Sequence, residues 1–315
     1  MRFRDIAWAK LNLTLEVLGR RGDGFHELRS LVAFAGVGDT VEFTPHVSPG
    51  PRLVARGASA LVPPDAFALE IEGPFAGVLD GANLILEAAE AARASVPALT
   101  PGTFKLVKTL PVAAGLGGGS ADAAAALRLL IEAGDGAFSA DGADAIAPEL
   151  GSDVAVCLRS APALMTGRGE VVAAVSGFPQ CGVVLANPGV ELATSAVYGA
   201  LGAEPLDAPQ DATPPPDFGG SFEALIAYAS VRGNDLEPAA RRLAPEVGTV
   251  LSKLETLKGA RLVRLSGSGA TCFAVFATPR EALRAAILLA EKAPDWWVTA
   301  GILGDPRQPL MAAVS

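Results

Sequence analysis

The sequence predicts a two-domain protein, α/β in its first half and α+β in its second. Three observations carry this. The first half mixes apolar residues at a spacing of two with alanine-rich stretches of helical spacing. A run of glycines at 115–119 opens directly into one of those helical stretches. From Cys181 the pattern restarts with a continuous apolar strand, then alternates helices and strands to residue 303. With 315 residues, 50% apolar and 19% charged, the chain has enough material for two cores.

Residues 8–18 alternate Leu11, Leu13, Leu15 and Val17 with Lys10, Asn12, Thr14 and Glu16. This predicts one half-buried strand with Lys10 and Asn12 on its polar face. A turn is expected at Gly19–Gly24, a strand near Leu28–Phe34, and short strands broken by Pro and Gly over 37–74. Asn83–Ala94, rich in Ala, Leu and Glu, predicts a helix, and Thr103–Val107 a strand. Over 111–134 a glycine-rich loop leads into a helix, with Ser120 as candidate N-cap and Asp122 as a first-turn acid. Ala123, Ala126, Leu127, Leu130 and Ile131 form its apolar face, and Gly134 suits its end. Asp144–Leu150 predicts a short helix. The turn Gly151-Ser152-Asp153 then leads into an expected strand at Val154–Leu158.

In the second half, strands are expected at 181–186, 261–265, 272–277 and 296–303. Helices are expected over 221–230, 237–244, 246–257 and 279–292, with a proline-rich loop over 203–220.

The net charge of −9 argues against nucleic acid and against anionic lipid as partners. No apolar run approaches the roughly 18–20 residues of a membrane span. Arg2 and Arg4 are followed by Asp5, Lys10, Asn12 and Glu16, not by the apolar centre of a leader peptide. Cys157, Cys181 and Cys272 are odd in number and lack any CxxC spacing, so neither a disulfide framework nor zinc is expected. They read as small core residues of a protein in a reducing cytoplasm.

Gly115, Gly117, Gly118 and Gly119 leave backbone N–H groups free to close around an anion, and a helix N-terminus adds its own. This outlines a phosphate site. A Walker A loop is excluded because no Gly-Lys-Ser/Thr follows, and the dinucleotide fingerprint fails because its third glycine position is Ser120. SGSGAT at 266–271, between two strands, reads either as a hairpin turn or as a second wall of that phosphate pocket.

These residues carry a resemblance. PVAAGLGGGSADAAAAL, from Pro111, resembles the second motif of the GHMP kinases, and LSGSGATCFAVF at 265–276 resembles their third. The blocks AKLNLTLEVLGRRGDGFHEL (9–28), GANLI (81–85), LGSDVAVCL (150–158), GRGE (167–170), NPGVELATSAVY (187–198) and NDLEP (234–238) follow in family order. They resemble the branch of the superfamily that phosphorylates a cytidine diphosphate-linked methylerythritol. Three positions depart from the pattern: Phe25 stands in place of Tyr, Ala121 in place of a second Ser, and Tyr198 where Phe is frequent.

The resemblance implies the two-domain GHMP kinase fold. An N-terminal domain, 1–175, carries the glycine loop, and a ferredoxin-like α+β domain spans 176–315. It implies transfer of the γ-phosphate of ATP to the substrate's 2-hydroxyl, a step of the non-mevalonate isoprenoid pathway, with Mg²⁺ on the phosphates. It implies Asp153 as base and Lys10 as its partner. On the nucleotide side it implies Asn83 and Lys108 together with the loop Pro111, Val112, Ala113, Ala114, Gly115, Leu116, Gly117, Gly118, Gly119, Ser120 and Ala121. On the substrate side it implies Asn12, Phe25, His26, Thr194 and Tyr198. Ser120 is the one candidate ligand for the metal. Two alternatives stand beside this: a homoserine or mevalonate type of GHMP kinase, and a non-catalytic nucleotide sensor on the same fold. The GFHEL and NPGVELATSAVY blocks argue against the first, and intact Lys10 and Asp153 against the second.

Overall fold

The computed structural model describes residues 1–46, 65–78, 83–206 and 213–307. Strands expected between 47 and 64, Gly81 and Ala82 of the GANLI block, and part of the 203–220 loop lie outside the described residues. By internal contacts the chain forms two units, each from separate stretches. Unit one comprises Met1–Ala7, Gly38–Val112 and Gly118–Arg159; unit two comprises Trp8–Val37, Ala113–Gly117 and the chain from Ser160 onward. Strands β1 (Phe3–Asn12) and β3 (His26–Pro45) each give one end to each unit.

In unit one, the second half of β3 pairs antiparallel with β5 (Gly102–Val107), and β4 (Ala68–Glu72) lies parallel to β5. The spacing of two is plain in β5: Phe104 and Leu106 are buried while Lys105 pairs with Glu72 at the surface. Phe104 stacks on Phe43 with ring centroids 4.5 Å apart, and Phe67 closes the cluster. The helices of this unit are α1 (Leu84–Ser95), α2 (Gly118–Ala133), α3 (Ala140–Leu150) and α4 (Val154–Arg159). Helix α2 is buried continuously over Ala121–Leu127, which its alanines allow because they let neighbouring helices approach closely.

Two expectations are corrected here. Helix α2 starts at Gly118, so Ser120 is its third residue and not its cap, and Asp122 falls beyond the first turn. Two glycines without side chains let the helix begin earlier than a capping side chain would dictate. Val154–Arg159 is a helix, not a strand. A five-residue apolar run does not separate the two. Tertiary contacts decide: Arg128 of α2 donates to the carbonyls of Cys157 at 2.8 Å and Leu158 at 3.3 Å, satisfying groups that a helix end leaves open.

Unit two is built on β8 (Cys181–Asn187), β9 (Leu262–Leu265), β10 (Cys272–Phe276) and β11 (Trp297–Gly304). Their order is β11-β8-β10-β9, antiparallel throughout. Helices α7 (Glu237–Leu243), α8 (Pro245–Glu255) and α9 (Pro279–Lys292) supply the core that covers them. Strand, helices, hairpin, helix and strand in this order give the expected ferredoxin-like arrangement. Thr278 opens α9 with a capping box to Glu281. The first half of β3 pairs with β2 (Glu16–Arg20) and with β6 (Ala163–Gly167), which turns back into β7 (Val171–Ala174). Two more helices complete the described part, α5 (Thr194–Leu201) and α6 (Phe222–Ser230).

The single strand expected over 8–18 is broken after Asn12 and resumes at Glu16. Its polar face is not solvated: Lys10, Asn12 and Thr14 are as buried as Leu11 and Leu13. Hydrogen bonds make that possible. Asn12 Nδ2 donates to Ser30 Oγ at 2.8 Å, Ser30 Oγ donates to the Thr14 carbonyl at 2.6 Å, and Leu31 N donates to Thr14 Oγ1 at 3.0 Å. All three cysteines are free and buried. No helix among the described residues is long and apolar enough to cross a membrane.

Phe104→Ala should lower stability by about 3–5 kcal/mol in urea denaturation, because it empties the centre of the aromatic cluster. Phe25→Ala removes the same ring from a position 49% exposed and should change stability by less than about 0.5 kcal/mol.

Candidate active site

In unit two the glycine loop is fixed from both sides. Lys10 N on β1 donates to the Leu116 carbonyl at 2.9 Å, and Thr271 N donates to the Ala114 carbonyl at 3.1 Å. Ser266 Oγ donates to the Gly115 carbonyl at 2.8 Å. A Cβ on Gly115 would stand 2.1 Å from the Ser266 carbonyl oxygen, and its φ of +75° is a region that side chains avoid. Gly117 has φ +63°. The segment 266–271 joins β9 to β10, so it is a hairpin connection, and the same residues hold the glycine loop. Asn234 pins that connection by donating to the carbonyls of Leu265 at 2.9 Å and Gly267 at 2.8 Å.

Substrate-side candidates gather around the same connection. Asn12 N donates to Ser266 Oγ at 3.4 Å, and Thr194 Oγ1 lies 2.9 Å from Ser268 Oγ. Asn12 Oδ1 is buried with no hydrogen-bond partner among the described residues, an acceptor that calls for a donor from outside the chain. His26 and Tyr198 stack with centroids 4.8 Å apart and planes inclined by 32°. Burial, aided by the positive charge of Arg20, lowers the His26 pKa, so the ring is neutral near pH 7 and offers one donor and one acceptor. Phe25 is exposed, and the guanidinium of Arg168 sits over its ring at 4.8 Å.

In unit one, Lys108 is buried in an ion cluster. Its Nζ donates to Asp39 Oδ2 and to Asp122 Oδ2, each at 2.6 Å. Burial opposes its charge, but the two carboxylates outweigh that and raise its pKa. Asp39 also accepts from Thr109 N at 2.6 Å and Leu110 N at 2.8 Å, which fixes the chain as it leaves β5. Asp122 has no such support, and its Oδ1 is buried without a partner among the described residues. Burial, with the Asp39 charge adding to it against the pull of Lys108, pushes the Asp122 pKa up to about 7. A Cβ on Gly118 would come within 3.2 Å of Lys108 Nζ, so the ammonium lies under the first residue of α2.

Asn83 caps α1, its Oδ1 accepting from Ile85 N at 2.9 Å. Asp153 directly precedes α4, and its carbonyl accepts from Cys157 N at 3.0 Å. Ser120 and Ala121 lie in the first turn of α2, and Pro111 and Val112 close the stretch of unit one that follows β5.

Two family models match the chain: GHMP kinases N terminal domain over residues 83–161, and GHMP kinases C terminal over residues 219–289. The chain is 44% identical to the 4-diphosphocytidyl-2-C-methyl-D-erythritol kinase of Parvibaculum lavamentivorans over 303 residues, covering 95% of this chain and 98% of that protein. This chain belongs to the 4-diphosphocytidyl-2-C-methyl-D-erythritol kinase family of the GHMP kinases. A solved 4-(cytidine 5'-diphospho)-2C-methyl-D-erythritol kinase superposes with a TM-score of 0.71 at 31% identity, covering 96% of this chain and 99% of that one. The homoserine kinase of Cytophaga hutchinsonii, at 15% identity and a TM-score of 0.66 over 96% and 95%, shares the fold.

Spacing alone did not single out Asp39, Asp122 as a Lys108 partner, or Arg168 as a partner of the Phe25 ring. One signal was available for Asp39, a lone carboxylate in the otherwise apolar and small stretch from Leu31 to Val41. A charge at such a place is buried only with a partner.

Gly115→Ala should cost more than about 2 kcal/mol, from clash and positive φ together, whereas Gly119→Ala inside α2 should be neutral or gain up to about 1 kcal/mol. Thermal unfolding of the two variants separates them. Asp122 keeps its proton in the folded state to about pH 7 and loses it near 3.8 when unfolded. The folded state therefore binds the extra proton between those values, and stability falls as pH rises through that window. In Asp122→Asn that decline is absent, so denaturation across pH 4–7 should show the variant gaining on the wild type as pH rises.

Proposed function

We propose that this chain transfers the γ-phosphate of ATP to the 2-hydroxyl of 4-diphosphocytidyl-2-C-methyl-D-erythritol, a step of non-mevalonate isoprenoid synthesis in the cytoplasm. The observation that carries the proposal is the bond from Lys10 N to the Leu116 carbonyl, which places a buried lysine on the backbone of a glycine loop held open by positive φ. Near-full-length identity to enzymes of that name supports the choice of substrate. We also propose domains of 1–175 and 176–315, within which the two matched segments fall.

Phosphoryl transfer asks chiefly for positioning and charge stabilisation. Backbone N–H groups of Ala113–Gly119 and of the first turn of α2 bind the phosphates, where side chains would stand in the way. Asp153 takes the proton of the attacking hydroxyl, and the Lys10 ammonium favours the developing alkoxide. Lys108 has three N–H donors and spends two on carboxylates, leaving one for the nucleotide base, with the Asn83 amide beside it in role. Mg²⁺ neutralises phosphate charge in such reactions. Ser120, in the first turn of α2, would give a hydroxyl oxygen to such an ion on the nucleotide phosphates.

On the substrate side, the neutral His26 ring supplies the donor and acceptor that cytosine requires. Tyr198 and Phe25 offer faces for stacking, worth about 1–3 kcal/mol per base. Thr194 and Asn12 serve the diphosphate and the polyol, whose hydroxyls are the donors that Asn12 Oδ1 lacks.

Asp153→Asn should keep the fold and nucleotide binding and lose about 10²–10⁴-fold in kcat. Purified protein offered ATP with the cytidylyl substrate, homoserine or mevalonate should phosphorylate the first alone. Near wild-type turnover by folded Asp153→Asn would remove it as base. Gly117→Val should weaken ATP far more than the cytidylyl substrate, and His26→Ala should raise KM several-fold for the cytidylyl substrate alone. Steady-state kinetics with each substrate varied in turn tests both.

A further inference from the structure

Unit two holds a groove of about 830 Å³ on the flank of α8, between that helix, the end of α7 and the last turns of α9. None of its lining residues belongs to the candidate active site. Four of its twelve lining residues are cations, Arg241, Lys253, Lys258 and Lys292, and none is a carboxylate. The whole chain has 25 cations in 315 residues and a net charge of −9, so the groove is about four times richer in positive charge than the protein that carries it.

The cations are available. Lys253, Lys258 and Lys292 have no ion-pair partner among the described residues, and Arg241 reaches only Glu237, at 3.7 Å. Three hydroxyls, of Thr249, Ser252 and Thr256, line the same wall. Residues 245, 248, 249, 252 and 253 recur at the three- and four-residue spacing that puts them on one side of a helix. The opposite side of α8, Val247, Val250, Leu251 and Leu254, is in the core.

Gly248 lies on the groove wall, against Arg241. A glycine inside a helix costs up to about 1 kcal/mol against alanine. Here a Cβ would meet Arg241 Nε at 3.6 Å and Nη2 at 3.7 Å, ordinary contact distances, so the guanidinium lies against the bare backbone of α8. At the rim, Leu288 is 53% exposed beside Lys292, so the groove offers an apolar edge as well as charge.

We propose that this groove binds an organic diphosphate or triphosphate, with its phosphoryl groups on Arg241, Lys253 and Lys292 and its apolar body against Leu288. Four cations and three hydroxyls, with Glu237 beside Arg241 as the one paired carboxylate and none lining the groove, suit a phosphoryl anion and disfavour a cationic ligand. The volume lies in the range of small-molecule sites. The proposal needs nothing from the phosphate-transfer reading, and its ligand is a second anion on the protein.

The test uses the full chain with inorganic pyrophosphate and hexyl diphosphate as probes, followed by hydrogen–deuterium exchange and calorimetry at low salt. Expected are protection of segments 245–258 and 285–292 by both probes, and tighter binding of hexyl diphosphate than of pyrophosphate. Affinity at these segments should fall about tenfold in Lys253→Gln/Lys292→Gln. Gly248→Leu, which improves helix propensity while filling the groove, should lose the protection at an unchanged melting temperature. Leu288→Ser should erase the preference for the alkyl chain and leave pyrophosphate binding as it was. Both lysine and glycine variants should keep their kcat for phosphoryl transfer. Protection confined to the glycine loop, or protection of 245–258 that survives the double lysine variant, overturns the proposal.

Discussion

The contact on which the candidate site depends is the close approach of Gly115 to the Ser266 backbone. A Cβ on Gly115 would stand 2.1 Å from the Ser266 carbonyl oxygen, so no side chain fits, and the glycine loop and the β9–β10 connection lie backbone on backbone. Three hydrogen bonds then fix the loop: from Ser266 Oγ to Gly115, from Thr271 N to Ala114 and from Lys10 N to Leu116. A loop built to surround an anion has poor internal structure of its own, because its N–H groups must stay free for the ligand. Its rigidity is borrowed through its carbonyls, which are the groups it can give away. Asn234 carries the same logic one step outward by holding the connection that holds the loop.

Unit one meets a different constraint. Two carboxylates and one ammonium share a buried space, and a charge left unpaired there would cost several kcal/mol. The asymmetry between the carboxylates resolves it. Asp39 accepts from two backbone N–H groups, while Asp122, buried with one oxygen unpartnered, has its pKa pushed up and is the group on which a proton settles. With that proton in place the cluster is close to neutral. It lies under the first residue of α2 and leaves the positive end of the helix dipole uncancelled.

Much of this was legible in the sequence where chemistry is local. Glycine and serine runs state their backbone demands within a few residues, so both loops were readable before any coordinates. The strands and helices of the second half, with the sheet of unit two, follow the apolar spacing closely. What was not legible depends on partners far away in the chain. The buried ion pair of Lys108 cannot be read until Asp39, 69 residues earlier, is seen beside it. Lys10 and Asn12 read as a polar strand face because alternation reports residue type, not burial; for Asn12 it cannot show that Ser30 is there to receive its amide. Val154–Leu158 reads as a strand because the guanidinium that finishes the helix Val154–Arg159 comes from α2. The hairpin β6–β7 and helix α5 are short and lack strong punctuation, and their placement rests on β3 and on packing in unit two.

The interleaving of the two units has a consequence for the birth of the protein on the ribosome. Unit one needs residues 1–7 and residues up to 159 before its chain is complete, and it encloses a stretch, Trp8–Val37, that belongs to the other unit. That stretch must wait through more than a hundred residues of synthesis. Its partners include β11, whose seven paired residues on β8 and two on β3 lie near the C-terminus. Closing such distant ends is slow, since the entropy of the long loop is lost before any contact repays it. Leu11, Leu13, Leu31 and Phe34, all buried in the folded chain, have no complete core to enter until then. A chain of this topology folds late and all but at once, and it is a natural client for whatever shields apolar strands at the exit tunnel.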